Sequence, residues 1–147
     1  YWANATEAHA RGTGASFVGF LLRDRADGEP AQLVGIFNLN NLVRGAYLCA
    51  AAGWHLDVDC IGRGLATEGV TALLDLAFAP SPRGLGLHRV QANIVPANRS
   101  SLRVAEKCGF RREGVALQML HIAGRWQDHI MFAKLADEHA GVYLTPP

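Results

Sequence analysis

Cysteine is scarce in this 147-residue chain: the three that occur, Cys49, Cys60 and Cys108, are odd in number and far apart. They form no CxxC pair and no Cys/His pair at zinc spacing, so the sequence predicts neither a disulfide framework nor a structural metal. A reducing cytoplasm is the compartment this usage favours. Long apolar runs are missing too. None approaches the roughly 18 residues that span a bilayer, and no charged-then-apolar leader opens the chain. Charge of one sign is also lacking, with 14 Lys plus Arg against 13 Asp plus Glu. That balance gives no electrostatic case for a nucleic-acid or membrane partner, and any anionic ligand must be held locally. His88, His121 and His129 make no ligand pattern, and no metal is read.

What is present suits one domain with one core, since half of the residues are apolar. The chain opens on Tyr1 rather than Met, which points to an upstream stretch beyond this sequence. Segments 15–24 and 31–43, joined by the turn-like "ADGEP", predict a hairpin, and 46–58 a third strand. The period then changes. Ala66, Val70, Leu73, Leu74 and Ala77 recur at helical spacing until Pro80 and Pro82 end the run. Residues 87–95 alternate as a strand, with Val90, Ala92 and Ile94 on one face and Arg89, Gln91 and Asn93 on the other. A second helix follows, capped by Asn98, striped by Leu102, Ala105 and Cys108, and closed by Gly109. Residues 114–135 predict two strands around Ala123-Gly124. This order makes a mixed α/β or α+β sheet with helices packed on it.

The stretch "CIGRGLATEG", 60–69, lies where a strand gives way to a helix. Glycine there removes β-carbons, while the helix start supplies unpaired N–H groups and the positive end of a dipole, so the junction can hold a phosphate. A nucleotide P-loop needs GxxxxGK[ST], which is absent. A dinucleotide fingerprint needs a third glycine, which Gly62-Arg63-Gly64-Leu65-Ala66-Thr67 lacks. A tight turn whose glycines only satisfy backbone angles is the competing reading.

Together with "GLHRVQANIVPANRSSLRVAEKCGFRREG" and "IAGRWQDHIMF", the segment "GRGLATEG" resembles the GNAT acyltransferases, more narrowly their RimJ/RimL branch of ribosomal-protein N-terminal acetyltransferases. The resemblance covers roughly residues 15 to 135, and "FNLNNLVRGAY" is similar to the RimJ side. The family's loop pattern falls on Ile61 to Ala66; Gly64 and Ala66 conform, and Ile61 replaces a polar residue. The fold implied is a central mixed, mostly antiparallel sheet flanked by helices, here without the family's N-terminal strand and helices. The whole of 1–147 is then a single N-acetyltransferase domain, N-terminally incomplete.

The resemblance implies acetyl-CoA. Its diphosphate would lie on Ile61, Gly62, Arg63, Gly64, Leu65, Ala66 and Thr67, and its pantetheine arm would pair with the preceding strand near His55, Leu56 and Val58. Asn98 and Ser101 match the family's polar pair facing the thioester end, although helix capping alone explains Asn98 equally well. Arg63, Arg99 and Arg103 are candidates for outer phosphates. The tyrosine that many relatives use as general acid falls at Ala105. In RimJ/RimL relatives a serine is cast in that role, so the resemblance implies Ser101 as the candidate, with water as the alternative donor and a plain helix-cap hydroxyl as the competing reading. A thiol of pKa near 8.5 makes thiolate only about 2 kcal/mol uphill at neutral pH. Glu68, His55 and Asp128 are the candidate bases, while Trp54 and Trp126 read as core or pocket wall. An α-amine near pKa 8 sheds its proton for about 1.4 kcal/mol at pH 7, whereas lysine needs about 4.6. The expected acceptor is a protein N-terminus, ribosomal or other. A small-molecule amine such as an antibiotic or polyamine, or a non-catalytic acyl-CoA-binding module, are the alternatives. A homodimer is compatible with the resemblance.

Overall fold

The structure, a computed structural model, describes residues 2–21 and 31–139. A short helix α1 (Trp2–Ala10) leads into β1 (Ala15–Phe20), which pairs antiparallel with β2 (Leu33–Val43), and β2 pairs antiparallel with β3 (Cys49–Leu56). The predicted first hairpin is therefore present as a strand pair, although its expected turn at 26–30 and the end of its first strand lie outside the described residues. Helix α2 (Leu65–Phe78), strand β4 (Arg89–Ile94), helix α3 (Arg99–Lys107) and the hairpin β5 (Arg111–Ile122) and β6 (Arg125–Leu135) complete the order. The six strands form one sheet in the order β1-β2-β3-β4-β6-β5, in which only β3 and β4 run parallel.

Side-chain period decides which face is covered. In β2, Phe37 and Leu39 are buried, and in β4 Val90, Ala92 and Ile94 are buried; all five join the core under α2 and α3. Helix α2 contributes Val70, Leu73, Leu74, Ala77 and Phe78 to that core, the burial of each of the four larger side chains being worth about 1.5–3 kcal/mol relative to exposure. Gly69 lets α2 approach closely: a methyl group there would lie 2.2 Å from the Phe37 ring. The predicted stripe Leu102, Ala105 and Cys108 of α3 is buried as well. Gly109 takes φ +76, the left-handed conformation a helix end favours.

The end of α3 is tied to the sheet by a buried cation. Lys134 of β6 donates to the Cys108 carbonyl at 2.6 Å, satisfying an orphan acceptor at the negative end of the helix dipole. The closing hairpin turns through Ala123 (φ 51) and Gly124 (φ 79), two left-handed residues whose twist suits a two-residue connection. No helix among the described residues is long and apolar enough to cross a membrane.

Candidate functional site

Strand β3 hands over to α2 through a tight segment. A 3-10 turn, Val58–Cys60, follows β3, with the Asp57 carboxylate accepting from the Asp59 amide at 3.0 Å. The chain then passes through Gly62 (φ +79) and Gly64 (φ +82), backbone that side-chain-bearing residues rarely adopt, and a β-carbon at either would meet nothing within 4 Å. Gly64 is the N-cap of α2 and offers no capping side chain. The first helical bond runs from the Glu68 amide to the Gly64 carbonyl at 3.1 Å, so the amides of the preceding turn leave the helix end without intrahelical acceptors. Bare, outward-facing N–H groups at a positive dipole end form an anion cradle.

Beside this cradle the sheet opens. The pairing of β3 with β4 stops after Ala51 opposite Gln91. Beyond that point β3 stays paired to β2 as far as Leu56, and β4 to β6 as far as Ile94. Two strands held only on their outer sides leave facing inner edges where an extended chain can add its own hydrogen bonds.

Helix α3 closes the third side. The Asn98 side-chain oxygen accepts from the Ser101 amide at 3.1 Å and from the Ser100 hydroxyl at 2.9 Å. The predicted cap is thus real, and it fixes the serines at the mouth of the opening. A cavity of about 350 Å³ joins the three parts, walled by Trp54, His55 and Leu56 of β3, by Cys60, Ile61, Gly62, Gly64, Ala66 and Thr67, and by Asn98, Ser100, Ser101, Arg103, Val104 and Lys107. Its residues match an acyl-CoA in kind, since a β-carbon-free cradle can take the diphosphate, open strand edges the amide-bearing arm, and two cations the remaining charge.

The structure gathers most of the residues singled out from sequence and separates a few. Leu56, Ile61, Gly62, Gly64, Ala66, Thr67, Asn98, Ser101 and Arg103 share the cavity wall, together with His55. Arg63 and Leu65 belong to the loop but not to that wall. Val58 is a correction: the strand ends at Leu56, leaving Val58 on the 3-10 turn and 75% exposed instead of on a pairing edge. Glu68, in the first turn of α2, lines a neighbouring groove that shares Gly64, Thr67 and Lys107 with the cavity. Asp128 is occupied elsewhere, accepting from the Gln118 amide at 2.8 Å across a bulge in the final hairpin. Trp54 stands in the cavity wall, whereas Trp126 is exposed and edge-on to His121.

Four wall residues escaped the sequence reading: Cys60, Ser100, Val104 and Lys107. The last three were findable, for Ser100, Arg103, Val104 and Lys107 recur at the i, i+3, i+4, i+7 spacing of one helix face. Ala105, the position of the absent tyrosine, is fully buried in the core. Burial also pushes the Cys108 thiol up, although a hydrogen bond to Thr71 and the charge of Lys134 pull the other way. A thiol so placed stays protonated and is a poor nucleophile.

Comparison with known proteins fits this geometry. Residues 1–111 match the acetyltransferase (GNAT) domain family. Ribosomal protein uS5-alanine N-acetyltransferase of Escherichia coli (strain K12) is 33% identical over 107 residues, covering 73% of this chain and 53% of the relative. Spermidine N(1)-acetyltransferase of Vibrio cholerae is 28% identical over 102 residues, 68% of this chain and 56% of the relative. The structure of Mycobacterium smegmatis RimJ in complex with CoA-disulfide superposes with a TM-score of 0.79 at 30% identity, covering 94% of this chain and 60% of that one. The chain spans about half the length of the curated relatives it matches. With the open β3–β4 edge, the glycine cradle and the family match together, this chain belongs to the GNAT acetyltransferases, a family whose acyl donor is acetyl-CoA.

Proposed function

We propose that this chain carries an acetyl-CoA-dependent N-acetyltransferase that acts on the N-terminal α-amine of a protein, ribosomal or other, by direct transfer in a ternary complex. The observation that carries the reading is the convergence of the bare cradle at Gly62 to Thr67, the open strand edge and Ser101 on one cavity. The cradle amides hold the diphosphate, the inner edge of β3 orients the arm, and an N–H of that edge polarises the thioester carbonyl. The neutral amine attacks the carbonyl carbon and forms the C–N bond. The C–S bond then breaks, the amine's proton passes to water or to His55, and the sulfur takes a proton from water or from the Ser101 hydroxyl, which regains one from water. His55 is the base candidate on the cavity wall; Glu68 is not on it.

The acceptor class rests on two supports: a weak base suffices for an α-amine but not for a lysine, and the Escherichia coli relative is named a ribosomal protein uS5-alanine N-acetyltransferase. A small polyamine is the second reading, favoured by the spermidine acetyltransferase relative. Mass spectrometry of peptides with free N-termini and of spermidine, each incubated with protein and acetyl-CoA, tests both. A mass gain of one acetyl group on the peptide N-terminus is expected; acetylation of spermidine alone would replace the first reading with the second.

A further inference from the structure

Strand β2 carries a row of carboxamides that the cavity at the glycine cradle does not use. Its Phe37 and Leu39 enter the core beneath α2, so alternation turns Asn38 and Asn40 to the opposite face of the sheet. Asn41 joins them because the pairing with β3 slips between Asn40 and Val43 and Asn41 takes φ 51, a bulge that re-aims the side chain. The three border a second cavity of about 370 Å³, closed by Asn4 of α1 and by Thr13 and Ser16, a size within the roughly 300–1,000 Å³ of ligand sites. The remaining wall is alanine and glycine, and no ionisable side chain lines it. Glu7, the acid of α1, is off the wall and bound to Arg11 at 2.5 Å.

This cavity ends where the sheet opens. Asn40 faces Ala51, the last β3 residue paired with β4, whereas Asn38 faces Gly53, two residues into the opened stretch. A β-carbon at Gly53 would collide with the Asn38 side-chain oxygen, so the carboxamide lies over bare backbone. Ala52, Trp54 and Leu56 pack toward the core, which leaves Gly53 and His55 on the Asn38 face. We propose that this cavity receives the acceptor as the first residues of a polypeptide, with Asn38 directing the α-amine across Gly53 toward the donor carbonyl and His55. The proposal deepens the acetyltransferase reading and rests on it. A carboxamide both donates and accepts, so a wall carrying four of them suits the N–H and C=O groups of a peptide. A polyamine brings further ammonium groups, and burying those without a carboxylate is costly. The lining therefore selects a peptide over a polyamine.

Steady-state kinetics with acetyl-CoA and either spermidine or a short peptide that begins with alanine and carries no charged side chain tests this on wild type, Asn38→Ala, Asn38→Asp and Asn40→Ala. Calorimetry reports acetyl-CoA affinity alongside. Wild type should favour the peptide. Asn38→Ala should lower kcat/KM for the peptide about tenfold, the worth of one hydrogen bond of about 1.4 kcal/mol, with acetyl-CoA affinity kept within about twofold. Asn38→Asp should move the ratio of the two kcat/KM values about tenfold toward spermidine, because a carboxylate then meets the ammonium groups. Asn40 is exposed, so its truncation leaves folding aside, and Asn40→Ala should raise the peptide KM severalfold at unchanged kcat. Unchanged peptide kinetics in either folded alanine variant, an unmoved ratio in Asn38→Asp, or a wild type that prefers spermidine overturns the assignment while leaving an acetyltransferase in place. A wild type that binds no acetyl-CoA, or acetylates neither amine, would overturn the reading beneath it.

Discussion

Asn98 holds Ser101 by the backbone: the Ser101 amide donates to the Asn98 side-chain oxygen at 3.1 Å, and the serine hydroxyl takes no part in that bond. One interaction therefore caps α3 and sets the direction from which the hydroxyl meets the cavity. Replacing Asn98 with Ala removes the cap, which costs about 1 kcal/mol of stability. The same change loosens the wall at the thioester end. Thermal unfolding should show a fall of several degrees, and kinetics a drop in kcat/KM larger than the stability loss alone predicts. A stable Asn98→Ala variant with full activity would reduce the residue to a bystander.

Ser101→Ala addresses the leaving group. The hydroxyl contributes at most the roughly 2 kcal/mol that separates thiol from thiolate at neutral pH, so kcat should fall by about tenfold while affinity for acetyl-CoA stays within about twofold. A pH-rate profile sharpens the comparison: the deficit should shrink as pH rises toward the thiol pKa, where departure needs no proton donor. A uniform deficit at every pH would assign the serine a structural role.

Gly69 on α2 sits over Phe37 of β2. Alanine improves helix propensity by up to about 1 kcal/mol, yet its methyl would lie 2.2 Å from a ring that is only 5% exposed and has nowhere to go. Overpacking of this kind costs about 1–3 kcal/mol, so Gly69→Ala should lower the urea midpoint. Adding Phe37→Leu should restore part of the loss. A stabilised Gly69→Ala chain would show that the helix stands further from the sheet than described.

Glu113 binds Arg89 through a bidentate pair and also contacts Arg111, and Arg89 holds its carboxyl below the usual glutamate range. A depressed folded pKa means that the unfolded state binds the extra proton, so the contribution is present above about pH 4.3, the unfolded value, and is lost as pH falls through the lower folded value. Screening keeps the pair to about 1 kcal/mol or less. Urea unfolding should therefore separate wild type from Glu113→Gln at pH 7 and bring them together near pH 3. The same gap at both pH values would remove the ion pair from the account.

Much of this arrangement was legible in the chain itself, for reasons that differ by element. The helix stripes, the Asn98 cap, Gly109 and the Ala123-Gly124 turn each follow from local rules, in which a few adjacent residues fix the outcome. The GNAT resemblance then ordered the elements and named the loop. Val58 was misplaced because strand ends depend on where pairing to β2 stops, which no local pattern encodes. Glu68 lines the adjoining groove because a helix start points its first-turn side chains around a full circle, and only packing against the sheet decides which ones meet the cavity. Lys107 shares an α3 face with Ser100, Arg103 and Val104, but it stands at the far end of that helix, where no cap or motif singles it out.

The claim on which the rest depends is that the amides from Gly62 to Thr67 hold the diphosphate of the acyl carrier. A crystal structure of this chain with acetyl-CoA, accompanied by Gly64→Val, tests it most directly. The account predicts diphosphate oxygens within hydrogen-bond distance of those amides, and loss of the complex in a Gly64→Val chain that still folds. A carrier bound away from the start of α2, or Gly64→Val binding as tightly as wild type, would contradict it.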